Sequence, residues 1–289
     1  MNRMHMRGHD TSGLGRAGTG ATPNRRRSAR LGWVVFGWWI GSLVGSVSLP
    51  VAGAEPDAAG LIAALVRQQR TPGYRTRARV EIEPAQGDER HFQVLIKGRL
   101  DGSTNETLVV VMWPRDQKGR AWMIRRTEAG VVGGFRLEPG GEATPIQAGE
   151  FDEPLLGSDL GLDDFAETFW EWPEVRVVGE EKVGSAECWI VESKSAGSAV
   201  RHPRVRSWLA KEKPIAMRIE KFDASGTLRK RLTAGRVVRR DDGGWAVAEW
   251  TVESVGAGSH TRVTGSRSDR DLTLPAAEFT PEGVRKLVE

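Results

Sequence analysis

The chain has 289 residues, with 42 basic against 38 acidic side chains and a net charge of +4. The surplus is local: residues 1–54 hold seven arginines, no lysine and one acid, Asp10, so the rest carries 35 bases and 37 acids and is slightly acidic. That argues against a nucleic-acid-binding body, which needs surplus cations in its folded part. A single cysteine, Cys188, excludes an intramolecular disulfide or a thiolate zinc cluster.

Residues 1–30 are polar, Gly-rich and basic, ending in Asn24-Arg25-Arg26-Arg27-Ser28-Ala29-Arg30. Residues 31–51 carry no charge and include Trp33, Trp38 and Trp39, and Ala52-Gly53-Ala54 then precedes Glu55-Pro56. The order of basic, apolar and A-x-A segments predicts an export signal over 1–54, cut after Ala54, and a single domain over 55–289. The alternative is an uncleaved anchor, since roughly 20 apolar residues span a bilayer. Either way the positive-inside bias places the body outside the cytoplasm, soluble if cleaved and tethered to the inner membrane otherwise. Ser28-Ala29-Arg30 follows the arginines where twin-arginine export would want apolar residues, and no cysteine near the cut makes the chain a lipoprotein. Gly13-Leu14-Gly15-Arg16-Ala17-Gly18 matches G-x-G-x-x-G, but it lies outside any strand–helix unit and carries no cofactor expectation.

The body opens on a predicted helix, 57–70, with Leu61, Ile62, Leu65 and Val66 on one face and Pro72-Gly73 beyond its end. Strands follow at 75–83, 91–100 and 106–113, the last nearly all apolar and so expected to be covered on both faces. A further pair spans 121–126 and 131–137. Residues 150–172 interrupt the sheet, with a short helix over 162–170 striped by Leu162, Phe165, Phe169 and Trp170. Strands resume at 176–182, 186–193, 205–209, 215–222, 227–238, 245–255 and 260–272. Asp241-Asp242-Gly243-Gly244 is a hairpin turn, and Phe279-Thr280-Pro281 opens a terminal helix. Short consecutive turns predict one antiparallel meander. The fold class is mainly β (α+β): an incomplete antiparallel β-barrel of about ten strands, with a few short helices over an apolar cavity.

This order of segments resembles the outer-membrane lipoprotein-sorting family, the LolA-like periplasmic carriers, over about 58–288. Four pieces carry the resemblance: Pro154-Leu155-Leu156-Gly157-Ser158-Asp159-Leu160-Gly161-Leu162-Asp163-Asp164-Phe165; Cys188-Trp189-Ile190-Val191-Glu192 followed by Ser207-Trp208-Leu209-Ala210-Lys211-Glu212-Lys213-Pro214-Ile215; Ile219-Glu220-Lys221-Phe222-Asp223-Ala224-Ser225-Gly226; and Glu278-Phe279-Thr280-Pro281. The chain departs at Gly133-Gly134-Phe135, where relatives carry Trp and Tyr, and at Ala210, where Asp is usual. The resemblance implies a periplasmic, non-enzymatic carrier without cofactor or metal. It would be a monomer, would bind acyl chains of lipoproteins or free lipids, and would pass them from an inner-membrane exporter to an outer-membrane acceptor. The rival readings are a membrane-tethered lipid-binding accessory of an exporter, an exported β-rich binding module without lipid cargo, and a lipid hydrolase.

Alternation puts Val94, Ile96, Leu108, Val110, Met112, Trp122, Trp189, Trp208, Ile219 and Trp250 forward as inward, lipid-binding positions, though each taken singly reads more simply as ordinary core, since alternation marks burial and not binding. Catalytic patterns are thin. His91, His202 and His260 lie far apart, and no H-E-x-x-H, G-x-S-x-G or P-loop occurs after residue 54. Cys188 reads as a buried thiol. Asp163-Asp164 reads as helix-start chemistry, its two carboxylates diverging. Arg229, Lys230, Arg231, Arg236, Arg239 and Arg240 read as a solvated strand edge.

Overall fold

A computed structural model describes residues 56–289 apart from 128–129, 148–149, 152, 167 and 198–199. The export-signal expectation therefore falls outside the described residues. Helix α1 (Ala58–Gln69) forms where predicted, because the Asp57 carboxylate accepts from the backbone of Ala59 and Gly60 and caps its first turn.

Among the described residues thirteen strands follow, where about ten were expected. They are β1 (Gly73–Glu83), β2 (Arg90–Asp101), β3 (Thr104–Trp113), β4 (Ala121–Thr127), β5 (Gly130–Leu137), β6 (Ala143–Pro145), β7 (Glu174–Val183), β8 (Ala186–Lys194), β9 (Arg204–Ala210), β10 (Ala216–Phe222), β11 (Leu228–Arg239), β12 (Trp245–Ser254) and β13 (His260–Asp269). All pairings are antiparallel, and the sheet runs β6-β5-β4-β3-β2-β1-β13-β12-β11-β10-β9-β8-β7. The meander is thus broken once, between β6 and β7, which form the two open edges. Strands β1 and β13 close the remainder with pairs such as Val80↔Val263. The result is an open, incomplete antiparallel barrel.

The segment joining the two edges holds a 3₁₀ turn (Leu155–Gly157), helix α2 (Leu162–Ala166) and a second 3₁₀ turn (Thr168–Glu171), so the predicted single helix over 162–170 is split. A last 3₁₀ turn (Ala276–Phe279) precedes α3 (Pro281–Val288), which Thr280 caps by accepting from the Gly283 amide.

Period-two alternation sorts the strand residues onto two faces. The inner face is the one α1 and the edge-joining segment cover. On one side Ile62 and Leu65 of α1, with Leu160, Phe169 and Trp170, pack on Val191, Val205, Ile219, Leu232 and Val252. On the other, Ala78, Val80, Phe92, Val94, Val109 and Val111 meet Leu156 and Phe165. Phe165 also touches the group of Ile124, Leu155 and Leu162, so one ring joins three apolar clusters. The outer face is dressed twice. The C-terminal turn and α3 lay Phe279 and Val284, both essentially buried, over Leu108, Val110, Met123 and Phe135. Further along, Cys188, Trp208 and Ile215 form a second patch.

The outer face also carries a row of alternating charge in direct cross-strand register: Arg176, Glu192, Arg206, Glu220, Arg231 and Glu253, one from each of β7 to β12. Glu192, 1% exposed, accepts from Arg176 at 2.7 Å and Arg206 at 3.0 Å. Glu106 is held the same way between Arg99 and Arg125, at 2.6 Å each. Opposite charges directly across a ladder support the register.

Candidate functional site

The ten inward candidates do not share one face. Val94, Ile96, Trp122, Ile219 and Trp250 lie on the inner face. Leu108, Val110 and Met112 have the opposite parity and lie beneath α3. Trp208 belongs to the outer patch with Cys188, and its indole N–H donates to Glu181 at 2.8 Å. Trp189 shares the parity of Val191, with the Lys211 ammonium 3.9 Å from its ring centroid. A β-strand apolar on both faces was legible as such, but which residues faced inward was not.

The most organised polar site sits at the end of the inner face where the edge-joining segment meets the strand turns. Lys221 on β10 and Lys230 on β11 are direct cross-strand partners there. They interrupt inward rows that otherwise read Ile219 and Leu232. Both are buried, at 3% and 8% exposure. Like charges opposite each other on a ladder repel, and here two carboxylates offset the repulsion. Lys221 Nζ donates to Asp163 Oδ2 and to Asp164 Oδ1, both at 2.6 Å. Lys230 Nζ donates to Asp164 Oδ2 at 2.7 Å and lies 3.8 Å from Asp163 Oδ1. Asp164 Oδ2 also accepts from the Gly161 amide at 2.8 Å. The expectation that the adjacent aspartates diverge is corrected: two long lysine side chains reach both. The helix-start role survives only in the Gly161 bond.

The electrostatics follow from this geometry. Burial works to raise the Asp164 pKa, but Lys221 and Lys230 outweigh it and hold the carboxyl at about 2. Burial works to lower the Lys221 pKa, and Asp163 and Asp164 outweigh that, so the ammonium stays charged well above its ordinary range. His202 is the neutral neighbour, with Nδ1 3.9 Å from Asp163 Oδ2. Burial first, then the Lys221 charge, push its pKa down to about 4.

Two further ties hold the segment to the sheet. Asp159, buried, accepts from the Ser254 amide at 3.1 Å, the Ser259 hydroxyl at 2.6 Å and the Thr261 hydroxyl at 2.8 Å. Arg90 donates to the carbonyls of Leu156 and Gly157, at 3.0 Å each. Beside these ties a cleft of about 440 Å³ is lined by Ser158, Asp159, Leu160, Arg201, His202, Asp223, Arg229, Lys230 and Val255. Arg201 and Arg229 are exposed at its rim, and Lys230 and His202 are buried in its wall.

The expected solvated edge of cations is corrected as well. Strand β11 lies between β10 and β12, away from both edges. Lys230 pairs with Asp164, Arg231 with Glu220, Arg229 with Asp223 and Arg240 with Asp242. Arg236 and Arg239 are exposed as expected, but composition alone could not show that the strand is interior or that its other cations meet acids.

Among the described residues, Glu81, Glu89 and His91 bring three possible metal ligands within 4.8 Å of one another. Glu81 is already engaged by Arg79 at 3.1 Å and Arg262 at 3.5 Å, so the group is an ion-pair cluster on the outer face of β1 and β2. His202 lies in the lysine–aspartate site and His91 in this one, so the structure brings no two of the three histidines singled out by sequence into either site. Cys188 is fully buried and its thiol pKa is raised by burial. Among the described residues no helix is long and apolar enough to cross a membrane.

Solved structures share this architecture at low identity. A DUF1329 family protein from Desulfovibrio piger is similar with a TM-score of 0.73 and 20% identity, over 78% of this chain and 97% of its own. A Vibrio parahaemolyticus domain described as an outer membrane lipoprotein-sorting protein domain has a TM-score of 0.72 and 16% identity, over 79% and 98%. A LolA superfamily protein from Nitrosomonas europaea has a TM-score of 0.62 and 15% identity, over 78% and 98%. No curated protein matches the sequence. A family model described as "Uncharacterized protein" matches residues 103–286. The chain belongs to that family and has the LolA-like fold.

Proposed function

We propose that the protein is a non-enzymatic, exported carrier that holds acyl chains of lipids or lipoproteins against its inner sheet face. The observation that carries this reading is the construction of that face. It is apolar from Val109 and Val94 on one side to Ile219 and Val205 on the other, and its covers are α1 and a segment fastened by side-chain hydrogen bonds and ion pairs. An apolar face covered by short pieces tied down through polar groups can be uncovered without dismantling a strand ladder. The fold supports the reading, since one similar structure is described as a lipoprotein-sorting domain.

In the structure Phe165, Phe169, Trp170 and the α1 side chains fill the space an acyl chain would take, so cargo enters by displacing the segment that bears them. Each methylene buried gains roughly 0.8 kcal/mol, on the order of 10 kcal/mol for a chain of about 15 carbons. A bilayer offers nearly the same, so exchange with a membrane is close to balanced and needs no energy source in the carrier. An exporter on the inner membrane and an acceptor on the outer membrane are the partners such a cycle calls for.

Uptake of a fluorescent fatty acid by delipidated protein, together with native mass spectrometry of the protein as purified, tests this. The carrier predicts saturable uptake and a bound mass in the range of a lipid or acylated peptide. Absence of binding to fatty acids, phospholipids and acylated peptides alike overturns it.

A further inference from the structure

Resting on the carrier reading, we propose that Lys221 and Lys230 form an anion-binding pair that accepts the carboxylate or phosphate headgroup of an acyl-chain ligand in exchange for Asp163 and Asp164. The ligand class is then an acidic amphiphile rather than any hydrocarbon.

Four observations meet here. First, both ammonium groups lie on the inner face, next to apolar positions a chain would occupy, rather than on the solvated outer face. Second, their partners sit on α2, in the segment that cargo displaces. Displacing that segment therefore removes both carboxylates at once and leaves two facing cations without a counter-charge. Charges in such a setting demand an anion. Third, the internal anion fits imperfectly: Asp163 Oδ1 is buried without a hydrogen bond, 3.8 Å from Lys230 Nζ. A headgroup with two or three equivalent oxygens can satisfy both lysines. Fourth, the cleft that Lys230 walls reaches solvent beside Arg201 and Arg229, giving an anion an approach lined by cations. Two acids share that lining: Asp223 is paired with Arg229 and accepts from Ser225, and Asp159 is held by the neutral donors Ser254, Ser259 and Thr261.

Asp163 and Asp164 are in this view a tethered surrogate of the headgroup. They keep the lysines neutralised while the carrier is empty and compete with ligand at a high effective concentration. Headgroup and hydrocarbon are read by one event, because the pair is free only when the apolar face is open.

The test displaces a dansylated fatty acid from delipidated protein with palmitate, lysophosphatidate and the uncharged 1-palmitoylglycerol. The inference expects the acids to outcompete the glyceride by at least about tenfold, one charge-assisted hydrogen bond's worth of discrimination. Palmitate against lysophosphatidate then tells carboxylate from phosphate. The fourfold amide variant Lys221→Gln/Lys230→Gln/Asp163→Asn/Asp164→Asn keeps shape without charge, and its preference should fall to within about threefold. Lys230→Gln/Asp163→Asn leaves the Lys221–Asp164 pair intact and provides a milder variant, in which the preference falls severalfold. Equal affinity of the unaltered protein for acids and glyceride overturns the inference while leaving the carrier standing. So does a preference that survives both variants, since the anion is then read elsewhere. Binding of none of the three overturns the inference, and the carrier reading goes with it when phospholipids and acylated peptides do not bind either.

Discussion

Asp164→Asn asks how much the buried charge cluster contributes. The substitution is nearly isosteric, and the amide oxygen can still accept from Gly161. It deletes the only charge that both lysines share at hydrogen-bond distance, at 2.6 and 2.7 Å, in a side chain 2% exposed. Asp163 is left to serve both, although it is 22% exposed and 3.8 Å from Lys230. Two charge-assisted hydrogen bonds are lost, and one buried ammonium is left without a partner. Breaking a buried ionic group in this way costs about 3–5 kcal/mol. With a urea m-value of about 2 kcal/mol/M, the midpoint falls by about 2 M. Adding Lys230→Met removes the orphaned charge and should restore a large part of that loss, giving a coupling of at least about 1.5 kcal/mol in the double-mutant cycle. A midpoint for Asp164→Asn within about 0.3 M of the unaltered protein would refute the account of the cluster.

Three other outcomes are expected. His202 has a folded pKa of about 4 against an ordinary 6.5, so the unfolded chain takes up a proton that the folded one refuses. Its contribution is therefore present above pH 6.5 and lost as pH falls toward 4, about 3 kcal/mol in all. His202→Gln should flatten stability against pH in that window, whereas the Asp164 contribution is lost only below about pH 3.8, as the pH falls through 2. Gly98→Ala places a Cβ 2.1 Å from the Tyr74 ring across the β1–β2 ladder, and overpacking of that kind costs about 1–3 kcal/mol. In a Tyr74→Ala background the same change should cost almost nothing by urea denaturation. Cys188, fully buried with a raised thiol pKa, should resist a thiol-disulfide reagent in the folded protein and react at once in denaturant.

The strands were legible because alternation survives in nearly every one, as in Ala78, Val80 and Ile82 against Arg77, Arg79 and Glu81. Strand β6 escaped because three residues, Ala143–Pro145, are too few to show a period. Strand β3 announced burial on both faces, but Leu108 and Val109 look alike in sequence. Their opposite surroundings depend on α3 folding back over β3 to β5, a contact between segments more than 140 residues apart. The lysine–aspartate cluster did leave a trace: Lys221 and Lys230 stand at inward positions on the two arms of one hairpin. Reading them needed the Lys221↔Lys230 register, and so the bulge between Lys221 and Phe222 that shifts it. The pair Asp163-Asp164 gave no such trace, because helix starts attract acids for local reasons alone.

The order of the strands bears on how the protein assembles. Strands β1 to β6 and β7 to β13 are each a run of neighbours in sequence, and the two runs meet only along the β1–β13 ladder, where partners such as Ile82 and Thr261 are 179 residues apart. Pairings within each run close short loops, while that one ladder must wait for the chain to bring its ends together, which makes it the slow step of folding. A nick between Pro145 and Glu174 would leave both halves as unbroken meanders, so two separately made fragments should recombine by zipping along this single line.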